Sequence, residues 1–574
     1  MPVPASPPRH RLALLTVASA AVALAAADTY VVVLALTDMM AGVGIGIDAL
    51  QRATPIISGF LLGYVAVLPL IGRLSDLLDR RRILLACLVV FVVGSAVTAL
   101  ATEMPVLVTG RVLQGVGGGG LVPATLALVA DLWPADRRGT PLGVVGAVQE
   151  LGSVLGPVVG AVILTWQGWR AIFWANVAAG LALWVVLRLL GRGAPTTSAP
   201  PPRRGAGGRV VTVVAGVAAV LGLATVGLAL AAPESLVTDV QLGLPFVPFA
   251  GSSKVLTPIG VTGLGLLFVT GVLTAPRWWP VLRRADLVGA ALVAVALGSL
   301  VLTFASSDPE KEVVGPLGYR LLPVGALALV LLAVWHRVAR DPLVPRGVVG
   351  SRGLRAYLVS LLVGAALVAV VVDVPLLARL TDTYDETGAA LVLVRFLLAV
   401  PVGALLGGWS LRRLGDGAVA AVGLALAAAG LALMSRWTLE SVVDPVPTTL
   451  VLVLVGLGVG LALAPVNDAA LADAPSDAHG VASSLVVVAR MVGMVVGLAL
   501  LTSIGLARYY EAVRHLPDPL DTQALLAAGV VQVQTVFLGG AVAAGVAALV
   551  AATLGTTRTG GRSATAADPR PVGL

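Results

Sequence analysis

Apolar residues fill sixteen stretches of this chain, each long enough to cross a bilayer. They run 12–37, 53–72, 83–101, 105–130, 140–164, 171–190, 210–232, 257–275, 286–304, 318–337, 354–378, 389–411, 417–436, 448–471, 481–508 and 528–554. A lipid core offers no water to backbone N–H and C=O groups, so the stretches are predicted to be α-helices. Between the sixth and seventh the pattern breaks into a linker, Gly191-Arg192-Gly193 through Pro200-Pro201-Pro202-Arg203-Arg204. Pro233, Pro245 and Pro248 argue against helix over 233–256, which reads as a loop between two spans.

Composition agrees with this pattern. Hydrophobic residues make up 58% of the 574 and charged residues 12%, with a mean hydropathy of +0.98, too apolar for a dissolved globule. The net charge of +8 invites a nucleic-acid reading, but the basic residues sit at helix ends and form no patch. Cys87 is the single cysteine, so there is no intrachain disulfide. Arg9-His10-Arg11 followed by an apolar run resembles a signal peptide. The run continues to Leu36, however, and Asp28-Thr29-Tyr30 is no small-residue cleavage site, so an uncleaved first helix is expected.

Charge then sets topology. With both termini cytoplasmic, most of the 38 Lys and Arg fall on the cytoplasmic side. If 257–275 did not cross, Arg283-Arg284 and Arg412-Arg413 would land outside, so 210–275 crosses twice or not at all. Sixteen spans are expected, with fourteen as the alternative.

The few charges inside the spans are the candidate functional residues: Asp28, Arg111, Glu150, Arg395 and Arg490. Glu150 lies about ten residues into its helix, roughly 15 Å deep. A carboxyl removed from water favours its neutral form, which suits it to carry a proton; the alternative is a structural acid in a helix interface. Asp28 lies toward the outer third, as a second titrating site, half of a gate pair, or a helix-end acid. Asp373 is its candidate partner by repeat in the last block, or an acid at the outer interface. Arg490, near mid-membrane, needs a counter-charge, and Glu150 and Asp28 are both available; Glu150 could instead meet Arg395. The helix from Val481 continues to about His515, roughly 52 Å against a core of about 30 Å, so it is expected to project outward.

The first and last blocks of six spans share a feature. The second helix of one ends Gly72-Arg73-Leu74-Ser75-Asp76-Leu77-Leu78-Asp79-Arg80-Arg81-Arg82, and that of the other Gly407-Gly408-Trp409-Ser410-Leu411-Arg412-Arg413. Duplicated halves of this kind build transporters. Gly72 to Arg81, with Gly72, Asp76, Arg80 and Arg81, resembles the loop signature of the major facilitator superfamily, although Asp79 stands where glycine is usual. Arg111-Val112-Leu113-Gln114-Gly115 resembles its fourth-helix motif. Gly152, Gly156, Pro157 and Gly160 match its fifth-helix antiporter motif, at a spacing that permits close helix approach and suits a rocking half-to-half interface.

Two blocks of six with helices between them resemble the drug:proton antiporter branch. Segments around Asp28, Glu150 and Arg490 look like the mycobacterial triacylglyceride exporters. The resemblance implies an all-α major facilitator fold: an N-terminal bundle 1–190, a cytoplasmic linker 191–209, an extra hairpin 210–285, a linker helix pair 286–353, a C-terminal bundle 354–554 and a cytoplasmic tail 555–574. It implies a monomeric, proton-coupled exporter of hydrophobic substrates in the cytoplasmic membrane of a bacterium, with no cofactor, no metal and no nucleic-acid partner. Glycerolipids such as triacylglycerides, or assorted drugs, would be the substrate, with a periplasmic lipid-carrying lipoprotein as a possible partner. The rival class is a membrane-embedded enzyme. The four histidines (His10, His336, His479 and His515) lie near or beyond span edges, and neither HExxH nor GxSxG occurs. Neither lysine, Lys254 or Lys311, follows a nucleotide-binding glycine loop.

Overall fold

The computed structural model describes residues 8–45, 54–190, 206–238, 243–249, 253–305, 316–381, 386–516, 518 and 521–555. Among them sixteen helices are long and apolar enough to span a membrane, and no strand occurs. They are α1 (Pro8–Gly42), α2 (Thr54–Leu77), α3 (Arg80–Leu100), α4 (Met104–Leu132), α5 (Gly139–Gln167), α6 (Trp169–Leu190), α7 (Ala206–Ala231) and α8 (Pro258–Arg284). There follow α9 (Leu287–Ala305), α10 (Pro316–Val338), α11 (Ser351–Arg379), α12 (Glu386–Leu414), α13 (Asp416–Met434), α14 (Pro445–Asp473), α15 (His479–Arg514) and α16 (Thr522–Ala552). Most of the linker 191–209, the loop residue Ser252, Lys311 and nearly all of the tail lie outside the described residues.

Local chemistry sets the helix ends. Thr257 accepts from Gly260 N at 3.2 Å and Pro258 takes the first helical position of α8; Asp521 accepts from Gln523 N at 2.9 Å ahead of α16. Asp79 caps α3 by accepting from Arg82 N at 3.1 Å with φ −56°, so this turn needs no glycine. Two expectations shift. α8 runs nine residues beyond the predicted 275, carrying Pro276 and Pro280 within it. The loop after α7 contains the one-turn helix Glu234–Val237 and the 3-10 turns Leu244–Phe246 and Lys254–Leu256; Pro233 and Pro245 sit at the starts of two of these turns, where a missing N–H costs nothing.

Glycine contacts reveal the repeat. In α4, Gly115 and Gly119 press on the backbones of Phe60 and Tyr64 in α2; in α14, Gly456 and Gly460 press on Phe396 and Val400 in α12. In α5, Gly152 and Gly156 meet Ala23 and Ala27 of α1; in α15, Gly493 and Gly497 meet Leu361 and Ala365 of α11. These contacts set a repeat register between α1, α2, α4 and α5 in one half and α11, α12, α14 and α15 in the other. Gly117 to Gly120 are packing glycines of the same kind, two of them against Phe91 and Tyr64 backbone.

The four intervening helices pack outside the halves. α9 lies along α2 and also touches α15, with α10 against it. α7 and α8 pair with each other, and Lys254 N donates to Glu103 Oε1 at 2.8 Å, fastening their loop to the α3–α4 corner.

Candidate functional site

The chain has one arginine-rich end, carrying Arg80 to Arg82 and Arg412-Arg413, and an opposite far end. The halves meet near the arginine-rich end. A Cβ on Gly72 would lie 2.6 Å from Gly480 O, and one on Gly139 would lie 2.8 Å from Gly408 O. By the repeat register these are equivalent contacts: Gly72 corresponds to Gly408 and Gly139 to Gly480. Only glycine allows helices this near.

The loop-motif residues lock this crossing. Asp76 accepts from Gly480 N at 2.6 Å and Val481 N at 3.0 Å, capping the positive N-terminus of α15 from the opposite half. Arg80 donates to Asp76 at 2.7 Å, to Ser75 Oγ at 3.1 Å and to Asp131 at 3.1 Å. Arg81 works within its own half, donating to the terminal carbonyls of α6, Leu187 and Arg188, both at 2.8 Å. Across the seam Arg138 pairs with Asp468, and Arg352 with Asp416 within the C-terminal half.

Glu150 stands about one turn beyond Gly146, whose neighbour across the seam is Ala404. It lies on the face of α5 that carries Gly139 and Gly143, since seven or eleven residues return nearly to one side of a helix. Its Oε1 lies 3.9 Å from Arg490 Nη1 of α15, with both side chains largely buried. This decides the pairing left open by the sequence. Arg395 is not Glu150's partner: it donates to Thr449 Oγ1 at 3.1 Å and sits nine residues from Ala404, on the opposite side of α12 from α5.

Asp28 belongs to a second, separate cluster inside the N-terminal half. Its Oδ2 accepts from Arg111 at 2.7 Å, and its Oδ1 from Asn176 at 2.6 Å and Gln114 at 3.2 Å. Arg111 also donates to Gln114 Oε1 at 2.9 Å and lies over the Phe60 ring at 4.5 Å. Ser95 accepts from Gln114 at 2.9 Å and Thr98 donates to it at 3.1 Å. Asp28 and Arg111 are each 1% exposed, so this ion pair is dry and satisfied by hydrogen bonds. The equivalents of Asp28, Arg111 and Gln114 in the other half are Ala366, Leu452 and Val455, all buried and apolar. Asp373 is therefore not the counterpart of Asp28; it lies two turns farther along α11, 3% exposed.

The antiporter-motif glycines also differ from expectation. Gly152, Gly156 and Gly160 face Ala23, Ala27 and Val31 of α1, inside one half and not across the seam. Beyond Glu150, α5 leaves Leu151, Leu155, Val158, Val159 and Val162 exposed. Sequence reasoning missed Asn176, a lone amide in an apolar helix, and Asp468, an acid near the end of another. Among the described residues no His, Cys, Asp and Glu cluster suited to a metal occurs.

Comparison with known proteins fits this architecture. Residues 18–334 match the Major Facilitator Superfamily model. A triacylglyceride transporter of Mycolicibacterium hassiacum is 38% identical over 517 residues, 87% of this chain and 81% of that one. A triacylglyceride transporter of Mycobacterium tuberculosis strain H37Rv is 36% identical over 530 residues, 89% and 86% of the two chains. The crystal structure of a human organic anion transporter shares the fold, with a TM-score of 0.54 and 16% identity over 95% of this chain and all of that one. A proton:xylose symporter does so at 0.50 and 14%, covering 92% and 94%. The resemblance read from the motifs is borne out, and the family and these relatives are transporters, not enzymes. This chain of duplicated six-helix halves belongs to the major facilitator superfamily and is a multi-pass membrane transporter.

Proposed function

We propose that this transporter exports a hydrophobic glycerolipid, of the triacylglyceride class, in exchange for protons. The cross-half pair Glu150–Arg490 carries the reading. At about 4 Å such a pair attracts by about 4 kcal/mol at the effective dielectric of protein sites. A proton on Glu150 removes that attraction across the seam and frees the two halves to part, and its release restores the pair. One protonation event then biases the seam between two arrangements, the coupling an alternating-access exporter requires. The arginine-rich end is cytoplasmic in this reading, both termini lie in the cytoplasm of a bacterial cell, and the state described is closed on that side.

The lipid assignment rests on the names of the relatives. A periplasmic lipid-carrying lipoprotein would receive the substrate from a monomeric transporter. α15 supports this handover: its 36 residues make about 54 Å of helix against a core of about 30 Å. Its far end carries Tyr509 and Tyr510, 5.3 Å apart, and an Arg508–Glu511 pair at 2.9 Å. Lipidomic comparison of deletion cells carrying the wild-type chain or Glu150→Gln tests the reading. Triacylglyceride should be retained in the cells with the variant. Unchanged lipid pools with lost dye efflux would favour the second reading, a multidrug:proton antiporter.

A further inference from the structure

A cavity of about 370 Å³ opens where α9 begins, α10 ends and the segment leading to α11 folds back. Its size falls within the range of small-molecule sites. Leu329, Leu332, Ala333, Leu343 and Val344 give it apolar walls. Leu329 to Arg337 spans about 12 Å of α10, from the membrane edge inward, and Leu329 is 57% exposed, so the cavity opens sideways toward lipid.

Its polar groups lie at the membrane-edge end. Asp286, which joins α8 to α9 at φ 55°, forms part of the floor. Its carboxylate accepts from Trp335 Nε1 at 2.8 Å, Leu343 N at 2.8 Å and Gly289 N at 2.9 Å. These donors occupy the acid in holding the fold together. The rim is cationic. His336 and Arg337 line it, and Arg346 Nη2 reaches Arg337 O at 3.3 Å. The same chain segments carry Arg283, Arg284 and Arg340 and two acids, Asp286 and Asp341. Apolar walls beneath a basic rim, at the arginine-rich edge of a membrane protein, match the chemistry of an anionic lipid headgroup with its chain.

We infer that this cavity holds one anionic phospholipid of the surrounding bilayer as a resident, with an acyl chain against Leu329 and Leu332 and its phosphate at Arg337 and His336. Such a lipid fastens the α9–α10 pair to the start of the C-terminal half. It is distinct from the transported substrate and does not depend on what that substrate is.

The test uses the purified full-length protein, delipidated and titrated with phosphatidylglycerol or phosphatidylcholine of matched chains, with native mass spectrometry as the readout. Retention of one phosphatidylglycerol in preference to phosphatidylcholine is expected. Arg337→Gln, at an exposed position, should weaken it about five-fold, and Ala333→Trp should block it by filling the cavity. Equal retention of both lipids, or wild-type retention of phosphatidylglycerol by both variants, overturns the inference. Displacement of the lipid by inorganic phosphate at matched concentration also overturns it, since the site would then select the anion alone.

Discussion

Glu150 and Arg490 face each other across the seam from positions one residue short of equivalence. In the repeat register Arg490 matches Gln149, and Glu150 matches Met491. Their 3.9 Å pair therefore lies close to the axis relating the halves, where a change in charge acts on both at once. Glu150→Gln should abolish gradient-driven export while expression and insertion stay unchanged. Arg490→Gln should do the same, and the double variant should be no worse than either single one. Wild-type export by Glu150→Gln in proteoliposomes would leave the residue a structural role only.

The Asp28 cluster allows a transplant. Arg111→Leu alone strands a buried carboxylate and should cost about 3–5 kcal/mol. Combining Asp28→Ala, Arg111→Leu and Gln114→Val copies the apolar core of the other half, and Asn176→Leu removes the remaining unpaired amide. This quadruple variant should regain most of the lost thermal stability in detergent. A melting temperature no higher than that of Arg111→Leu would show that the two cores are not interchangeable.

The seam at the arginine-rich end predicts a wedge effect. Gly72→Leu places atoms where Gly480 backbone now sits, an overpacking cost of about 1–3 kcal/mol set against the closed arrangement. In a Cys87→Ser background, Gly146→Cys should resist a thiol reagent applied from that end. Adding Gly72→Leu should expose it. Equal labelling with and without the wedge would mean that this crossing does not gate access.

The length of α15, in excess of the hydrocarbon core, predicts selectivity by substrate. A lipid leaving into water costs about 0.8 kcal/mol per exposed CH₂. Removing roughly one turn around Glu511–His515, with a matching turn near Gln523–Leu526, should impair lipid export more than export of a small cationic dye. Normal export of both would deny the excess length any part in transport.

The sixteen helices were legible because a water-free core demands unbroken apolar runs, and Thr257, Asp444 and Asp521 mark helix starts in the sequence. The buried charges were legible as well, but their partners were not. Arg138 and Asp468 stand 330 residues apart, and only the crossing of α5 with α12 and α14 joins them. Arg395 looked equivalent to Arg490 until the side of α12 facing α5 was fixed by Ala404. The motif glycines of α5 pointed to close packing without saying against which helix. Spacing along one helix carries the distance of approach, and the partner is set by topology.

The unequal cores of the two halves bear on how this molecule tolerates change. In the N-terminal half Asp28, Arg111, Gln114 and Asn176 each need the others in one arrangement, so a substitution at any of the four disturbs the rest. In the C-terminal half the places of Asp28, Arg111 and Gln114 hold Ala366, Leu452 and Val455, which ask only for volume and can exchange with other aliphatic residues at little cost. A saturation map of viable substitutions should therefore be lopsided, sparse around the first half's core and dense around the second's. New substrate preferences would most readily be selected through the half that can be repacked without first being rewired.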